Sequence, residues 1–405
     1  FGTVGSGVYE VLDRNRETVR KKAGEPIEIK YILNRRDLPG SPVEDLVVHE
    51  IGTILEDPET GLVVETMGGT SPAYEYVKSC LQAGKHVVTS NKNLVAAHGT
   101  ELLAIAREKR VSFLFEASVG GGIPIIRPLY RCLKGEVIEE ITGILNGTTN
   151  YILTRMDRAG VSFEAALKEA QDMGYAERNP EADVEGHDTC RKIAILTAMA
   201  TGKEVNYEDI YTEGITRITD VDFQYAEKIG ASVKLFGSSR IDGEQVHAWV
   251  APVMIGRDHV LYSVSDVFNG VMVKGNMVGT TMFYGSGAGK LPTASAVVAD
   301  IIAAVRHKNM NIAIGWSEER QTIAPMDTSS YRYFVRVDGN CEENRSRAEV
   351  VFGKAEITVL DGLDEFAFVT EKMTEAAFKE KAVEFDSACQ AFGKKGILQM
   401  IRAEL

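Results

Sequence analysis

The chain has 405 residues, of which 44% are hydrophobic and 25% charged, and its formal net charge is −13. This length predicts more than one domain, because it exceeds what a single ordinary core holds. The acidic balance excludes nucleic acid or an anionic membrane as the main partner, and it favours a small-molecule substrate or a protein. No long apolar segment or export signal is present, and five scattered cysteines form no CxxC pair. We therefore expect a cytoplasmic protein.

The first part of the chain predicts alternating helices and strands. Helices are expected at 6–22, 71–84 and 101–110, and strands at 27–33, 61–66, 86–91 and 111–118. Apolar strands that alternate with helices indicate an α/β fold, with a doubly wound, Rossmann-type domain over residues 1–118. The opening FGTVGSGV resembles a phosphate-binding loop entered halfway, so we expect a first strand and a first glycine to precede residue 1.

The remainder predicts two further parts. Helices near 124–134, 148–158, 162–173 and 188–202 and strands at 246–255 and within 259–284 give an α+β domain over 119–291. A long helix at 292–310 is expected to pack back on the first domain. Short strands at 331–337, 348–352, 356–360, 366–371 and 396–405, around a helix near 374–391, predict a small α+β domain over 320–405.

The glycines of the opening loop favour a dinucleotide site, although a tight turn gives the same pattern. The second predicted strand ends in ILNRR, which places Arg35 and Arg36 where a carboxylate would bind a ribose hydroxyl. Since arginine neutralises a 2′-phosphate, NADP(H) is preferred over NAD(H), unless the pair is only a solvated surface. GSGAGK (285–290) is not a nucleoside-triphosphate loop, because Leu291 follows the lysine where a hydroxyl is required.

Three other sites have alternative interpretations. Lys92 follows a strand at the sheet edge where such domains bind ligands, or it is an exposed surface lysine. Glu116 precedes the turn VGGGIP, whose carbonyls suit either a hard cation or a flexible hinge. Asp188 and Lys192 lie four residues apart, which fits a surface ion pair or a catalytic acid and amine on one helix face.

Together these segments resemble the homoserine dehydrogenase family over residues 1 to about 310. The motifs that carry the resemblance are GTVGSGV (2–8), SNK (90–92), EASVGGGIP (116–124), LNGTTNYIL (145–153), AQDMGYAERNPEADVEGHDTCRK (170–192) and YGSGAGKLPTASAVVAD (284–300). The resemblance implies reversible NAD(P)H-dependent reduction of L-aspartate 4-semialdehyde to L-homoserine, on the route to threonine and methionine.

The resemblance also implies roles for single residues. Asp188 and Lys192 would face the substrate, Glu177 would meet its amino group, and Lys192 or Lys92 would donate the proton. The cofactor would contact Phe1, Gly2, Thr3, Val4, Arg35, Thr70, Ser71, Lys92 and Gly287. A monovalent cation, Na⁺, would be held by Glu116 and the carbonyls of Val119, Gly121 and Ile123. Members of the family are built on dimers, so a homodimer or homotetramer is expected.

The tail resembles an ACT regulatory domain in its first strand, 331–337. No apolar helix is predicted after that strand, so the βαββαβ order is only partly visible, and the tail serves assembly or responds to a ligand. Two alternative functions stay open: another NADP-dependent semialdehyde or 3-hydroxy acid dehydrogenase, and a non-catalytic sensor of nucleotides and amino acids. A sensor has no need of both Lys92 and Lys192. An aspartate-semialdehyde dehydrogenase, which acylates a cysteine, is disfavoured because Cys190 and Cys132 lack a paired catalytic histidine nearby in sequence.

Overall fold

The computed structural model describes residues 1–390 and 396–405. These residues form two compact units, each assembled from separated segments of the chain. The first unit comprises Phe1–Ile138, Ala194–Tyr207 and Lys274–Gln321, and the second comprises Glu139–Ile193, Glu208–Val273 and Thr322–Leu405. No described helix is both long and apolar enough to cross a membrane. The predicted boundaries at residues 118 and 320 remain a prediction.

The N-terminal segment alternates helices with short parallel strands. Its elements are α1 (Thr3–Arg14), α2 (Arg16–Ala23), β1 (Ile32–Leu33), β2 (Val47–Val48), α3 (Ile51–Glu56), β3 (Leu62–Glu65), α4 (Ala73–Gln82), β4 (His86–Thr89), α5 (Lys92–Lys109) and β5 (Phe113–Leu114). Strands β3, β4 and β5 form a parallel sheet, and β1 pairs in parallel with β2. The strands of a parallel sheet need helical crossovers, and α4 and α5 supply them. The segment is therefore Rossmann-type, as predicted.

Several boundaries in this segment differ from the predictions for local reasons. The helix predicted at 6–22 is broken at Asn15 into α1 and α2. Helix α5 begins at Lys92, nine residues before the predicted start, because the side chain of Asn91 caps it by accepting the N–H of Leu94 at 3.2 Å. The helix predicted at 124–134 is reduced to a single π-helical turn at Pro128–Cys132, where Pro128 lacks an N–H.

The central segment carries the longest strands. Its elements are β6 (Ile138–Ile144), α6 (Gly147–Ala159), α7 (Phe163–Asp172), α8 (Glu181–Val184), α9 (His187–Thr201), β7 (Tyr211–Thr212), α10 (Asp220–Lys228), β8 (Ala231–Asp242), β9 (Gln245–Gly256), β10 (Phe268–Gly275), β11 (Gly279–Ser286) and α11 (Lys290–Arg306). Strand β8 was not predicted, because its glycine and serines are not typical of a buried strand. It pairs antiparallel with β9, and Gly237 lies opposite Val250.

The tail has the order βαββαβ, with one extra short strand. Its elements are β12 (Ser330–Asp338), α12 (Glu342–Phe352), β13 (Ile357–Thr358), β14 (Glu365–Val369), β15 (Met373–Thr374), α13 (Glu375–Gln390) and β16 (Ile397–Glu404). In the sheet of the second unit the strand order is β10-β6-β8-β9-β16-β12-β14-β13. Strand β16 joins β9 in parallel, with Ala403 opposite Met254, so the tail shares a sheet with the central segment.

The prediction of a strand at 348–352 is wrong, because these residues complete α12. Ala348, Val351 and Phe352 are buried at helical spacing. The ring centroids of Phe352 and Phe378 are 5.7 Å apart. The charged first half of α12 hid this period. The tail therefore does contain the helix that was not expected after β12. Residue 391, the last of the helix predicted at 374–391, lies outside the described residues.

Candidate active site

The second unit holds a buried ion pair on α9. Lys192 Nζ lies 2.8 Å from Asp188 Oδ2, and only 10% and 4% of their side-chain surfaces are exposed. Lys192 also donates to the carbonyl of Leu145 at 2.7 Å. Burial excludes the solvated surface pair, because a charge removed from water requires a partner or a function. The catalytic interpretation of Asp188 and Lys192 stays a prediction.

Asn146 extends this pair into a network, although its sequence position predicts no catalytic or binding role. Its Nδ2 donates to Asp188 Oδ2 at 2.9 Å and to Asp183 Oδ1 at 2.7 Å. Its Oδ1 accepts the N–H of Thr149 at 2.9 Å, which caps α6. The signal was available in the sequence, since asparagine before a helical run is a preferred N-cap. Asn146 therefore fixes Asp188 relative to α6, and it gives Asp183 a positioning contact.

Glu177 lies in the loop between α7 and α8, where its side chain is exposed. The loop is tied to neighbouring helices: Gln171 donates to the carbonyl of Glu177 at 3.1 Å, and Thr148 donates to the carbonyl of Tyr175 at 2.7 Å. Thr148 lies in the first turn of α6, two residues after Asn146. The loop that carries Glu177 is therefore held against the α6 terminus that carries the Asn146 network.

The predicted cofactor residues lie in the first unit. Gly2 is the N-cap of α1, and no side chain caps this helix, so its first N–H groups suit a phosphate. The backbone nitrogen of Phe1 lies 2.7 Å from Asn34 Oδ1, and Asn34 Nδ2 donates to the carbonyl of Arg36 at 2.7 Å. Both contacts hold the exposed Arg35 and Arg36 next to the start of α1. The loop geometry fits a dinucleotide.

The other predicted cofactor residues lie at strand and helix termini of the same unit. Thr70 and Ser71 precede α4, and the carbonyl of Thr70 accepts the N–H of Tyr74 at 2.7 Å. Lys92 opens α5 directly after β4 and is half-buried. Gly287 is buried. Lys92 belongs to the first unit, whereas Lys192 belongs to the second.

Within the GSGAGK stretch, Lys290 has a packing role. Lys290 begins α11 and pairs with Glu10 of α1, Nζ to Oε2 at 2.7 Å. A Cβ on Gly7 would lie 2.7 Å from the carbonyl oxygen of Lys290, so only glycine permits this approach of α1 to α11. The contact also places α11 against the N-terminal helix, where it was expected to pack.

Glu116 is buried beneath the glycine turn. Its Oε1 accepts the N–H groups of Ile125 and Ile126 at 2.8 and 3.0 Å, and its Oε2 accepts that of Arg127 at 2.8 Å. The Arg127 guanidinium binds Asp300, whose pKa burial raises to about 6 despite this cation. The carboxylate is therefore held rigidly.

The turn itself has the oxygen donors that a hard cation requires. No donor to the carbonyls of Val119, Gly121 or Ile123 is found among residues 1–390 and 396–405, and all three residues are buried. No cluster of three or more His, Cys, Asp or Glu suited to a metal occurs in that part of the chain. Carbonyls plus one carboxylate match Na⁺, so these residues fit the implied ion.

Cys190 lacks the environment of a nucleophile. It is buried on α9, and burial raises the pKa of its thiol. A catalytic thiol needs the opposite shift, toward the thiolate at neutral pH. The structure therefore disfavours cysteine acylation, in agreement with the sequence analysis.

A Rossmann-type unit with a free helix N-terminus, joined in one chain to a buried lysine and aspartate pair, defines an NAD(P)-dependent oxidoreductase. Similarity to known proteins shows the family to which the chain belongs. Residues 1–116 match the model "Homoserine dehydrogenase, NAD binding domain", and residues 124–302 match the model "Homoserine dehydrogenase". The chain belongs to the homoserine dehydrogenase family, which confirms the resemblance and the enzyme class predicted from the motifs.

Relatives cover nearly the whole chain. The homoserine dehydrogenase of Bacillus subtilis (strain 168) is 37% identical over 402 residues, 94% of this chain and 92% of its own length. That of Mycobacterium leprae is 36% identical over 100% of this chain and 96% of its own. The crystal structure of a homoserine dehydrogenase from Thiobacillus denitrificans has a TM-score of 0.91 at 34% identity, covering 100% of this chain and 96% of its own.

A further structure shows a hyperthermophilic archaeal homoserine dehydrogenase in complex with NADPH. Its TM-score is 0.64 at 27% identity, and it covers 75% of this chain and 95% of its own.

Proposed function

We propose that the chain interconverts L-homoserine and L-aspartate 4-semialdehyde, with Lys192 and Asp188 at the catalytic face. One observation carries the assignment: the ammonium of Lys192 is buried against Asp188, which Asn146 orients in turn. A surface helix gains little from such a pair, whereas a carbonyl reduction requires a fixed cationic donor.

The reaction explains both charges. A bound nicotinamide supplies or accepts the hydride. Negative charge then develops on the aldehyde oxygen, and a lysine ammonium stabilises that charge and donates the proton. Lys192 is our first choice as donor because its Nζ is fixed by Leu145 and Asp188, and Lys92 is the alternative. The substrate's own ammonium needs a carboxylate, for which we assign Glu177 and Asp188.

For the cofactor we propose a preference for NADP(H). Arg35 and Arg36 are exposed beside the N-terminus of α1, so their guanidinium groups suit a 2′-phosphate. The archaeal relative with bound NADPH supports the same choice. The dinucleotide would further contact Gly2, Thr3 and Lys92.

We also propose that Na⁺ binds Glu116 and the carbonyls of Val119, Gly121 and Ile123. The held carboxylate and the buried carbonyls support it. The ion would stiffen the glycine turn that lies between the Rossmann-type segment and the central segment.

The βαββαβ order of the tail supports an ACT-like domain, and we propose that it serves assembly or binds an effector. A homodimer or homotetramer is proposed with it, on the analogy of the family. The proposed partner of the chain is its small-molecule substrate.

The experiment is a turnover assay on the full-length protein. L-Homoserine is added with NADP⁺ or NAD⁺ at alkaline pH, and the absorbance of the reduced nicotinamide is followed. We expect a homoserine-dependent rise that is faster with NADP⁺. Binding of NADP⁺ by a folded protein without any rise would instead support the sensor, and a rise only with another 3-hydroxy acid would change the substrate.

A further inference from the structure

A basic cavity of about 340 Å³ lies in the first unit, along the second half of α11. Its lining includes Arg127, Arg131, Ile302, Ala303, Arg306 and His307. Arg127 immediately precedes the π-helical turn Pro128–Cys132 and Arg131 lies within it, while the other four come from α11 and the residue after it. The cavity thus combines guanidinium groups from two separate segments with an apolar wall.

Two of the three arginines carry uncompensated charge. Arg127 is balanced, because its guanidinium binds Asp300 and lies 3.8 Å from Glu116. Arg131 and Arg306 are exposed, and neither side chain makes an ion pair or a hydrogen bond within residues 1–390 and 396–405. In a chain of net charge −13, this concentration of positive charge around a cavity is a local exception.

Helix-end electrostatics account for only part of the positive charge around this cavity. Arg306 ends α11, and His307 follows it with Nδ1 2.7 Å from the carbonyl of Ala303, so both offset the negative end of the helix dipole. Arg131 lies in the last turn of the π-helical segment Pro128–Cys132, so it comes from the end of a different segment. The two segment ends direct their cations to one cavity, and a bound anion would neutralise this combined positive charge.

We propose that this cavity binds the phosphate group of a small metabolite. A phosphate presents three acceptor oxygens in different directions, which suits guanidinium groups arriving from two segments, whereas a single carboxylate is satisfied by one bidentate arginine. The volume lies at the small end of the range for small-molecule sites, so it suits one phosphate with a short organic body rather than a dinucleotide. The apolar wall of Ile302 and Ala303 would contact that body. The proposal is independent of the dehydrogenase reaction.

The test is calorimetric titration of the full-length protein with inorganic phosphate. Saturating NADP⁺ occupies the nucleotide site throughout, and chloride keeps the ionic strength constant so that screening does not change. We compare wild type with the double variant Arg131→Gln/Arg306→Gln. The double variant Lys21→Gln/Lys22→Gln is the matched control, because both lysines are exposed on α2 in the same unit and the charge change is equal.

We expect saturable binding to wild type and to the lysine control, with affinity about tenfold or more lower in the arginine variant. The phosphate-dependent rise in Tm should follow the same order, since a ligand of the native state stabilises it. Absence of saturable binding in wild type, equal affinity in the arginine variant, or an equal loss in the lysine control would each overturn the proposal. Tighter binding of succinate than of phosphate would overturn the phosphate assignment. If the double variant does not fold, the single variant Arg131→Gln decides in the same way.

Discussion

Lys192 Nζ and Asp188 Oδ2 are 2.8 Å apart, one turn from each other on α9, and both side chains are buried. Truncation by Lys192→Ala should lower kcat about a hundredfold or more, because a positioned proton donor is lost. The measurement is steady-state oxidation of homoserine. The control is Lys168→Ala, which removes the lysine of an equally spaced but exposed pair with Asp172 and should leave kcat unchanged. Near-wild-type turnover of Lys192→Ala would transfer the donor role to Lys92.

Asn146→Ser separates the amide donor from the helix cap. Serine retains an oxygen that can accept the N–H of Thr149, but it cannot donate to both Asp183 and Asp188. We expect kcat/KM to fall about tenfold, because the carboxylate of Asp188 loses a donor that holds it in place.

Its control is Ser162→Ala, which removes only the N-cap of α7. That variant should lower Tm without changing kcat/KM. If Asn146→Ser changes Tm but not kcat/KM, Asn146 is a helix cap and nothing more.

Arg35→Ala should reduce kcat/KM for NADP⁺ about tenfold and leave that for NAD⁺ unchanged, because only the former carries the 2′-phosphate. The ratio of the two constants is the measurement. Arg16→Ala, on the exposed face of α2, is the control for loss of one positive charge. A ratio equal to that of wild type would exclude Arg35 from the phosphate site.

Lys234 is a buried cation that the proposed mechanism does not use. Its Nζ donates to the carbonyl of Val264 at 2.8 Å, and burial lowers its pKa to about 8. The unfolded chain therefore binds more protons than the native one between pH 8 and about 10.5, so this lysine costs stability below pH 8 and the cost declines as pH rises. Lys234→Met should raise the free energy of unfolding by about 1–3 kcal/mol at pH 7.

Urea unfolding at pH 7 and pH 10 measures the effect, and the gain should shrink at the higher pH. Lys168→Met, on an exposed side chain, should show no such change. A constant gain at both pH values would mean that Lys234 is not titrating in the native state.

Gly121→Ala tests the turn above Glu116. Gly121 has φ +57°, and an added Cβ would overlap the carbonyl of Gly287. We expect a loss of about 2 kcal/mol or more in the free energy of unfolding. Gly135→Ala is the matched control, because no atom lies within 4 Å of its added Cβ and its φ is not left-handed. Equal stability of the two variants would show that the turn relaxes around the new side chain.

Local patterns were sufficient for much of this molecule. Spacing predicted α6, α7, α9 and α11 and the strands β1, β3, β4 and β5, but not the short strand β2. These elements could be predicted because the hydrophobic period of an element depends on its own residues. The same spacing placed Asp188 and Lys192 on one helix face. The sequence motifs indicated the homoserine dehydrogenase family, and the relatives confirm this family.

Tertiary structure decided what depends on distant neighbours. Spacing could not tell a surface pair from a buried one, since burial of Lys192 is produced by Leu145 and Asn146, more than 40 residues away. Helix α12 was read as a strand because only its packing against α13 reveals which residues face inward. The cavity of Arg127, Arg131 and Arg306 likewise exists only after α11 folds back, since 175 positions separate Arg131 from Arg306 along the chain. Local periodicity records which side of an element is apolar, whereas charge burial and site assembly are set by which elements meet.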